Sequence, residues 1–177
     1  MWSMPESISL PQKSLEKIKW HEKMPETASL YEECIGSTIE DLANEIQSLA
    51  CGVTENVQVS FRVKDPETLQ KKIQLKNPQS IFSIDDVYGI RILVDSVEDV
   101  YRVLEKIWQN FTGYVDHDYI KEPKISTSEL YKGKKLQLVQ FIAYKNEMPF
   151  EIQITTTTFH KDNEPMHAGY HYRKYHS

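Results

Sequence analysis

The chain has 177 residues, of which 40% are hydrophobic and 27% are charged, a composition typical of a globular protein with enough apolar surface for a core. Its net charge of −5 argues against a protein whose whole surface binds nucleic acid, although it leaves room for a local basic pocket. Cys34 and Cys51 form neither a disulfide framework nor a paired metal-ligand spacing, and no stretch has the pattern of a signal peptide or a membrane span. We therefore expect a cytoplasmic protein that makes no use of a membrane.

The first third of the chain is predicted to be helical. Apolar residues recur at helical spacing over Lys13–Glu22 and again over Ala28–Leu49. We expect residues 1–52 to form a helical flank that packs on the core or joins copies of the chain into a homo-oligomer. Residues 53–177 are expected to form one globular domain.

A strand followed by a basic helix is predicted next. From Val57 to Val63 apolar residues alternate with polar ones, which is the period of a half-buried strand, and Arg62 and Lys64 share its polar face. Asp65 caps a helix that runs to about Lys76. Residues at intervals of four would then form a positive strip beside the strand: Lys64, Thr68 and Lys72.

The remainder of the chain predicts an α+β fold with a mixed sheet of about five strands flanked by helices. Val87 to Val94 is nearly continuously apolar, as in a central strand, yet it carries Arg91, with Asp86 at its entrance. An amphipathic helix with an Asp/Ser cap follows at 95–111. The later elements are strands near 114–120, 136–144 and 150–155, a lysine-rich loop at 121–135, and a helix from residue 157.

Charged side chains on these strands form a pattern that suits phosphate chemistry. Asp86 and Glu151 are carboxylates of the kind that hold Mg²⁺ against phosphate oxygens, and Arg62 and Arg91 are cations that neutralise phosphate charge. Taken singly, each residue is better explained as a solvated charge or a surface salt bridge than as part of a site. The joint pattern favours a site.

Three other motifs are weaker. His167 and His171 are four apart, as zinc ligands on one helix face are, but the segment lacks a metalloprotease glutamate and an evident third ligand. The stretch "YKGKKL" lacks the remaining residues of a phosphate-binding loop. The aromatic cluster "GYHYRKYH" either stacks bases or packs on the core.

Four blocks together resemble the synthetase domain of the RelA/SpoT family, the alarmone (p)ppGpp synthetases, including their small single-domain members. "FRVKDPETLQKKI" resembles the family's ATP-binding strand and helix, "DDVYGIRILV" its Asp-to-Arg strand, "HDYIKEPK" the entrance to its acceptor loop, and "EIQITT" its glutamate strand. A fifth block, "FHKDNEPMHAGYHYRKY", has Glu164 and His171 where the family's closing helix has a glutamate and a histidine. The resemblance runs from Phe61 to Tyr175 and implies the family's nucleotidyltransferase-like fold.

The resemblance also implies an activity, the transfer of the β,γ-pyrophosphate of ATP to the ribose 3′-hydroxyl of GDP or GTP with release of AMP. Asp86 and Glu151 would be the catalytic residues and the Mg²⁺ ligands, and Glu151 would also be a candidate base. Arg62 and Arg91 would sandwich the adenine. The triphosphate of ATP would be held by Lys64, Thr68 and Lys72. The acceptor would be bound by His117, Tyr119, Lys124, Tyr131, Gln153, His160 and His171.

The acceptor half departs from the family's pattern. Ser128 stands where a guanine-stacking tyrosine is expected, His117 replaces a lysine or arginine, and Thr155 replaces an arginine. Tyr131 and the lysines at 132, 134 and 135 either build a substitute pocket or form a solvated basic turn.

Three functions stay open at this point. The first is a GTP pyrophosphokinase that makes an alarmone. The second keeps the ATP donor chemistry but uses another acceptor, an adenosine nucleotide or the 3′ end of tRNA, as toxin-like relatives do. The third is a degenerate domain that binds a nucleotide or a partner protein without turnover.

Overall fold

A five-stranded mixed sheet organises the part of the chain that the computed structural model describes, which comprises residues 31–64, 86–127, 129–130 and 132–163. Its strands are β1 (Gln58–Val63), β2 (Tyr88–Val94), β3 (Thr112–Asp118), β6 (Val139–Lys145) and β7 (Met148–Thr156), in the spatial order β1-β2-β7-β6-β3. Two short strands, β4 (Lys124–Ile125) and β5 (Lys135–Leu136), pair separately. The helices are α1 (Ile39–Cys51) and α2 (Val97–Asn110), and residues 31–35 and 157–163 are also helical. The predicted α+β fold is confirmed.

Strand β2 occupies an interior position, as its apolar sequence predicts. It pairs antiparallel with β1 and parallel with β7, and the other pairings of the sheet are antiparallel. Parallel neighbours need a long connection, which here contains α2, β3 and β6. The two segments that carry Arg91 and Glu151 are therefore adjacent strands, although 60 residues separate them in the chain.

Helices α1 and α2 pack their apolar sides into one core with the sheet. Leu42 and Ile46 of α1 and Leu104 of α2 are fully buried, in the same cluster as Ile90 and Ile152 of the sheet. Successive side chains of a strand point to opposite faces, so Arg91 and Gln153 lie on the face opposite to these isoleucines. Within the described ranges, neither helix is long and apolar enough to cross a lipid bilayer.

The prediction of one continuous helix over Ala28–Leu49 is wrong. Residues 31–35 are helical, but Gly36 has a φ of 73°, the left-handed conformation that commonly ends a helix, and its N–H donates to the Glu32 carbonyl oxygen at 3.0 Å. A new helix begins at Ile39, where the Thr38 side chain caps α1 by accepting from the Asp41 N–H at 3.1 Å. The sequence signal was the "GST" between the two apolar stretches.

Two further predictions need correction. Phe61 and Val63 of β1 are 48% and 44% exposed, so the expected burial of the whole apolar side of that strand is wrong. The loop predicted at 121–135 contains β4 and the first residue of β5, because residues on either side of its glycine turn pair with each other. The helices predicted over Lys13–Glu22 and Asp65–Lys76 lie outside the described residues.

Alkaline pH is expected to destabilise the fold through Tyr88. Burial, with a smaller contribution from the negative charge of Glu32, raises the pKa of Tyr88 to about 12. In the unfolded chain a tyrosine ionises near pH ~10, so the stability due to the neutral phenol is complete below that pH and is lost as the pH rises towards about 12. Urea unfolding at several alkaline pH values should show that the free energy of unfolding falls more steeply with pH for the wild type than for Tyr88→Phe. Equal losses would contradict the assignment to Tyr88.

Candidate active site

A buried ion pair lies where β1 ends and β2 begins. The Lys64 Nζ is 2.6 Å from the Asp86 Oδ2, and the Arg62 Nη2 is 3.8 Å from the same oxygen. The Lys64 N–H donates to the Val87 carbonyl oxygen at 2.8 Å, which continues the pairing of the two strands and places Lys64 beside Asp86. The Lys64 side chain is fully buried, and a buried ammonium group is costly without a counter-ion. Lys64 is thus part of a buried charged cluster, while the other members of the predicted positive strip, Thr68 and Lys72, lie outside the described residues.

Two consecutive side-chain hydrogen bonds connect β2 to β7. The Arg91 Nε donates to the Gln153 Oε1 at 3.3 Å, and the Gln153 Nε2 donates to the Glu151 Oε1 at 2.8 Å. The parallel register sets Arg91 opposite Gln153, and Glu151 lies two residues before Gln153 on the same face of β7. Gln153 is only 8% exposed, so the polar face of β7 is not simply a wet surface.

The strand register gathers these residues into two rows on one face of the sheet. One row contains Arg62, Gly89 and Glu151. The neighbouring row runs across four strands and contains Arg91, Gln153, Gln140 and His117. The charged residues of three strands, β1, β2 and β7, therefore lie on one face of the sheet and form a single charged surface.

Gly89 allows the Arg62 side chain to lie across β2. A Cβ atom at Gly89 would be 3.3 Å from the Arg62 Nε and 3.4 Å from the Arg62 Cγ, closer than side-chain atoms usually approach a Cβ. A glycine inside a strand often marks such a close approach. The sequence pattern predicted a role for Arg62 but not for Gly89. The available signal was the isolated glycine within an otherwise apolar strand.

The carboxylates of Asp86 and Glu151 fit Mg²⁺ as part of a nucleotide complex. Mg²⁺ is usually held by one or two carboxylates together with phosphates and water. Asp86 is 3.8 Å from Arg62, which shares a row with Glu151, and these two carboxylates are the candidates for that role. A carboxylate has about four lone-pair sites, so the contacts with Lys64 and Gln153 do not in themselves prevent coordination. In the described ranges no three His, Cys, Asp or Glu side chains cluster as metal ligands.

Three of the predicted acceptor residues lie together at the end of β3 and in the segment that follows it. The His117 ring stacks on the Tyr119 ring with centroids 4.8 Å apart and an interplanar angle of 10°, and the Lys124 Nζ lies 6.0 Å from the Tyr119 centroid. A register shift between Val115 and His117 precedes this group, and such bulges re-aim side chains. Burial, followed by the charge of Asp116, raises the pKa of Tyr119. The group presents an aromatic face next to a cation.

Asp118 holds the turn that carries these residues, a role that the sequence patterns did not reveal. Its Oδ1 accepts from the N–H groups of Ile120 and Lys121 at 3.0 and 3.1 Å, and its Oδ2 accepts from the Tyr101 hydroxyl at 2.7 Å. Burial and this hydrogen bond raise the pKa of Tyr101. An aspartate that bonds to the backbone two residues later is typical of turns, and that is the signal that was available.

The basic segment after this turn forms a hairpin. The Ser126 N–H donates to the Lys134 carbonyl oxygen at 2.8 Å, and Gly133, with a φ of 81°, makes the turn. Ile125 and Leu130 are 58% and 63% exposed. Ser128 and Tyr131 lie outside the described residues, so the substitute pocket proposed around Tyr131 stays a prediction.

Thr155 and Asn163 hold the chain where it leaves this hairpin. The Asn163 side chain accepts from the Gln137 N–H at 2.9 Å and donates to the Gln137 carbonyl oxygen at 2.8 Å, and the Thr155 hydroxyl donates to the same oxygen at 2.7 Å. Thr155, which replaces an expected arginine, therefore has a structural role. The sequence analysis did not single out Asn163, which is 1% exposed.

Replacing Asn163 by Ala is expected to lower the free energy of unfolding by about 1–3 kcal/mol, because it leaves the Gln137 N–H without its side-chain acceptor in a partly buried site. Asn110→Ala is the matched control, since the exposed Asn110 side chain makes one hydrogen bond to the Lys106 carbonyl oxygen, and it should cost less than about 0.5 kcal/mol. Urea unfolding of the two variants measures both values. Similar losses would contradict the role of Asn163.

The remaining predicted site residues are not joined to the two rows by a described contact. His160 is half-buried in the helical segment 157–163. The others lie outside the described residues: Thr68, Lys72, Glu164 and His171.

A family model described as "Region found in RelA / SpoT proteins" matches residues 61–177. Among curated relatives, "Probable GTP diphosphokinase RSH3, chloroplastic" from Arabidopsis thaliana is 30% identical over 139 residues, which are 77% of this chain and 18% of that protein. The protein of the same name from Oryza sativa subsp. japonica is 30% identical over 109 residues, 60% of this chain and 14% of that protein. The chain spans less than a fifth of the length of these relatives.

Solved structures of small alarmone synthetases share the fold. Small alarmone synthetase 1 from Bacillus subtilis aligns with a TM-score of 0.61 and 19% identity, over 84% of this chain and 82% of that one. The same synthetase bound to its product pppGpp aligns with a TM-score of 0.56 and 19% identity, over 77% and 76% of the two chains. Its complex with AMPCPP gives 0.52 and 17%, over 76% and 73%. At these identities the similarity shows the fold.

Proposed function

The chain belongs to the family of proteins that carry the RelA/SpoT region, and from that premise we propose that it is a GTP pyrophosphokinase that makes (p)ppGpp. It transfers the β,γ-pyrophosphate of ATP to the 3′-hydroxyl of GDP or GTP. The 3′ oxygen forms a bond to the β-phosphorus, the bond from that phosphorus to the oxygen bridging it to the α-phosphorus breaks, and AMP leaves with that oxygen. The hydroxyl proton passes to Glu151.

One observation carries the donor half of this proposal. Arg62 and Arg91 lie on neighbouring strands, with Arg62 opposite Gly89, so the two arginines are diagonal neighbours on one face. Diagonal neighbours in an antiparallel pair are about 7–8 Å apart, which is the space that one base needs between two stacked guanidinium planes. Asp86 and Lys64 adjoin Arg62, where the phosphates of that nucleotide would follow its adenine.

Mg²⁺ would be held by Asp86 and Glu151 and would supply neutralisation of the phosphate charge that builds up during transfer. The cations of this chain act in the same direction. Lys64 is already desolvated, so a charge developing beside it interacts more strongly than it would in water. Arg62 and Arg91 orient the donor by stacking.

A change of acceptor is the second candidate function, because two of the altered positions of the acceptor half, His117 and Thr155, make contacts within the fold. His117 is stacked on Tyr119, and Thr155 is bonded to Gln137. An adenosine nucleotide or the 3′ end of tRNA is the alternative acceptor. A degenerate domain without turnover is the remaining outcome.

The test is nucleotide chromatography after incubation of the protein with ATP, Mg²⁺ and one acceptor at a time: GDP, GTP, an adenosine nucleotide or bulk tRNA. We expect AMP and a 3′-pyrophosphorylated guanosine nucleotide in equal amounts, and neither product when EDTA replaces Mg²⁺. AMP with only an adenosine nucleotide or tRNA would select the second function. ATP binding without AMP in any reaction would reject both enzymatic functions.

We also propose that the reaction takes place in the cytoplasm, which holds these nucleotides, and that residues 53–177 are the catalytic unit. The described part of the flank, residues 31–52, packs into the same core, because Leu42 and Ile46 of α1 lie in it. A homo-oligomer through the flank is a further proposal, which light scattering of the purified protein tests.

Gly89→Ala is expected to weaken ATP binding without destabilising the fold. The added Cβ would displace the Arg62 side chain, while alanine suits a strand interior at least as well as glycine does. We expect a three- to tenfold rise, roughly, in the dissociation constant of AMPCPP, measured by calorimetry. Gly52→Ala, whose added Cβ would meet only backbone carbonyl oxygens beyond its immediate chain neighbours, is the control and should leave affinity unchanged. Unchanged affinity in Gly89→Ala would contradict the role of the close approach.

A further inference from the structure

Gln153 stands between the two charged residues that the proposed reaction uses on β2 and β7. It receives a hydrogen bond from the Arg91 Nε at 3.3 Å and gives one to the Glu151 Oε1 at 2.8 Å. Both ends of its amide are thereby engaged, and the side chain is nearly excluded from solvent. Hydrogen bonds to charged groups in such surroundings are stronger than exposed ones.

A primary amide of this length meets both neighbours. Arginine carries donors alone and an ionised carboxylate carries acceptors alone, so the residue between them must accept at one end and donate at the other. This requirement also fixes the orientation of the amide, with its oxygen towards Arg91 and its nitrogen towards Glu151. A glutamate at 153 would lose the donor, and a leucine would lose both functions.

We infer that Gln153 is a positioning residue that couples the donor-binding Arg91 to the carboxylate of Glu151. This inference deepens the proposed function and rests on it for the roles of Arg91 at ATP and of Glu151 at the acceptor hydroxyl. It differs from the acceptor-binding role that the family resemblance implies for Gln153. Its amide makes one hydrogen bond with Arg91 and one with Glu151, and binding of ATP at Arg91 therefore bears on the orientation of Glu151.

The two roles predict different defects. An acceptor contact would affect the KM of the acceptor and leave ATP binding in its absence unchanged. A positioning residue acts before the acceptor arrives, so its loss weakens binding of the ATP analogue by itself and also lowers kcat. Gln153→Glu tests the two hydrogen bonds of Gln153 separately, because it keeps an acceptor for Arg91 but places a second carboxylate beside Glu151.

The experiment measures AMPCPP binding without acceptor, AMP formation, and hydrogen exchange of the Arg91 Nε–H by nuclear magnetic resonance. We expect Gln153→Leu to weaken AMPCPP binding about tenfold, to lower kcat by a similar factor and to speed exchange about tenfold. Gln153→Glu should keep AMPCPP affinity within about threefold and keep exchange slow, while kcat falls. If Gln153→Leu does not fold, the three measurements on Gln153→Glu decide whether Gln153 is a positioning residue.

Gln140→Leu is the matched control, since Gln140 lies opposite Gln153 in the same row and on the same face. It should leave AMPCPP binding and Arg91 exchange unchanged. An equal loss in Gln140→Leu, fast exchange in Gln153→Glu, or a defect in Gln153→Leu confined to the acceptor KM would each overturn the inference. If the wild type neither binds AMPCPP nor forms AMP, the proposed function fails, and Arg91 exchange alone decides whether Gln153 holds the arginine.

Discussion

Glu151→Gln is expected to reduce AMP formation by at least about a hundredfold and to leave the fold intact. The substitution removes a negative charge and a basic oxygen from the centre of the charged surface, and general acid–base catalysis alone typically contributes a factor of about 10²–10⁴. The new amide keeps an oxygen where the Glu151 Oε1 accepts from Gln153, so the neighbouring hydrogen bond has its acceptor. The variant therefore separates an effect on the reaction from an effect on folding.

The measurement is single-turnover AMP release with saturating ATP and acceptor, beside urea unfolding of the same sample. AMPCPP affinity of the same sample shows whether the adenine contacts assigned to Arg62 and Arg91 are retained. Activity within a few fold of the wild type would remove Glu151 from the reaction. A parallel loss of stability and activity would show that the effect is structural.

Asp86→Asn is expected to lower the free energy of unfolding by about 3–5 kcal/mol, because it leaves the buried Lys64 ammonium without its counter-ion. It should also stop AMP formation, since Asp86 is one of the two proposed Mg²⁺ ligands. The double variant Lys64→Met/Asp86→Leu replaces the pair by apolar groups, which is often neutral for stability. We expect it to unfold at nearly the wild-type urea concentration and to remain inactive.

This pair of variants distinguishes a structural from a catalytic cluster. Recovery of stability without recovery of activity in the double variant is the expected result, measured by urea unfolding and AMP chromatography. If Asp86→Asn is as stable as the wild type, the ion pair does not hold the junction of β1 and β2. If the double variant is active, Asp86 and Lys64 have no part in the reaction.

Local residue patterns were sufficient to predict most of the sheet and α2. Alternation predicted β1 and β7, continuous apolar sequence predicted the interior position of β2, and the Ser96 cap with helical spacing predicted α2. These predictions succeeded because period, capping and burial act over a few residues. The helix over Ala28–Leu49 was predicted wrongly because the left-handed conformation of Gly36 was not read from its glycine.

The candidate site, like the fold, was predicted only in part from the sequence. The sequence by itself predicted which charged residues stand on strands, and the resemblance to the family predicts that Asp86, Arg91 and Glu151 serve one reaction. Only the tertiary structure decided how they meet: the parallel register of β2 and β7 places Gln153 between Arg91 and Glu151, and the strand junction buries Lys64 against Asp86. Gly89 and Asn163 were found in the same manner, through contacts with distant segments. The physical reason is that strand register and burial arise from pairing between segments far apart in the chain, so no local pattern contains them.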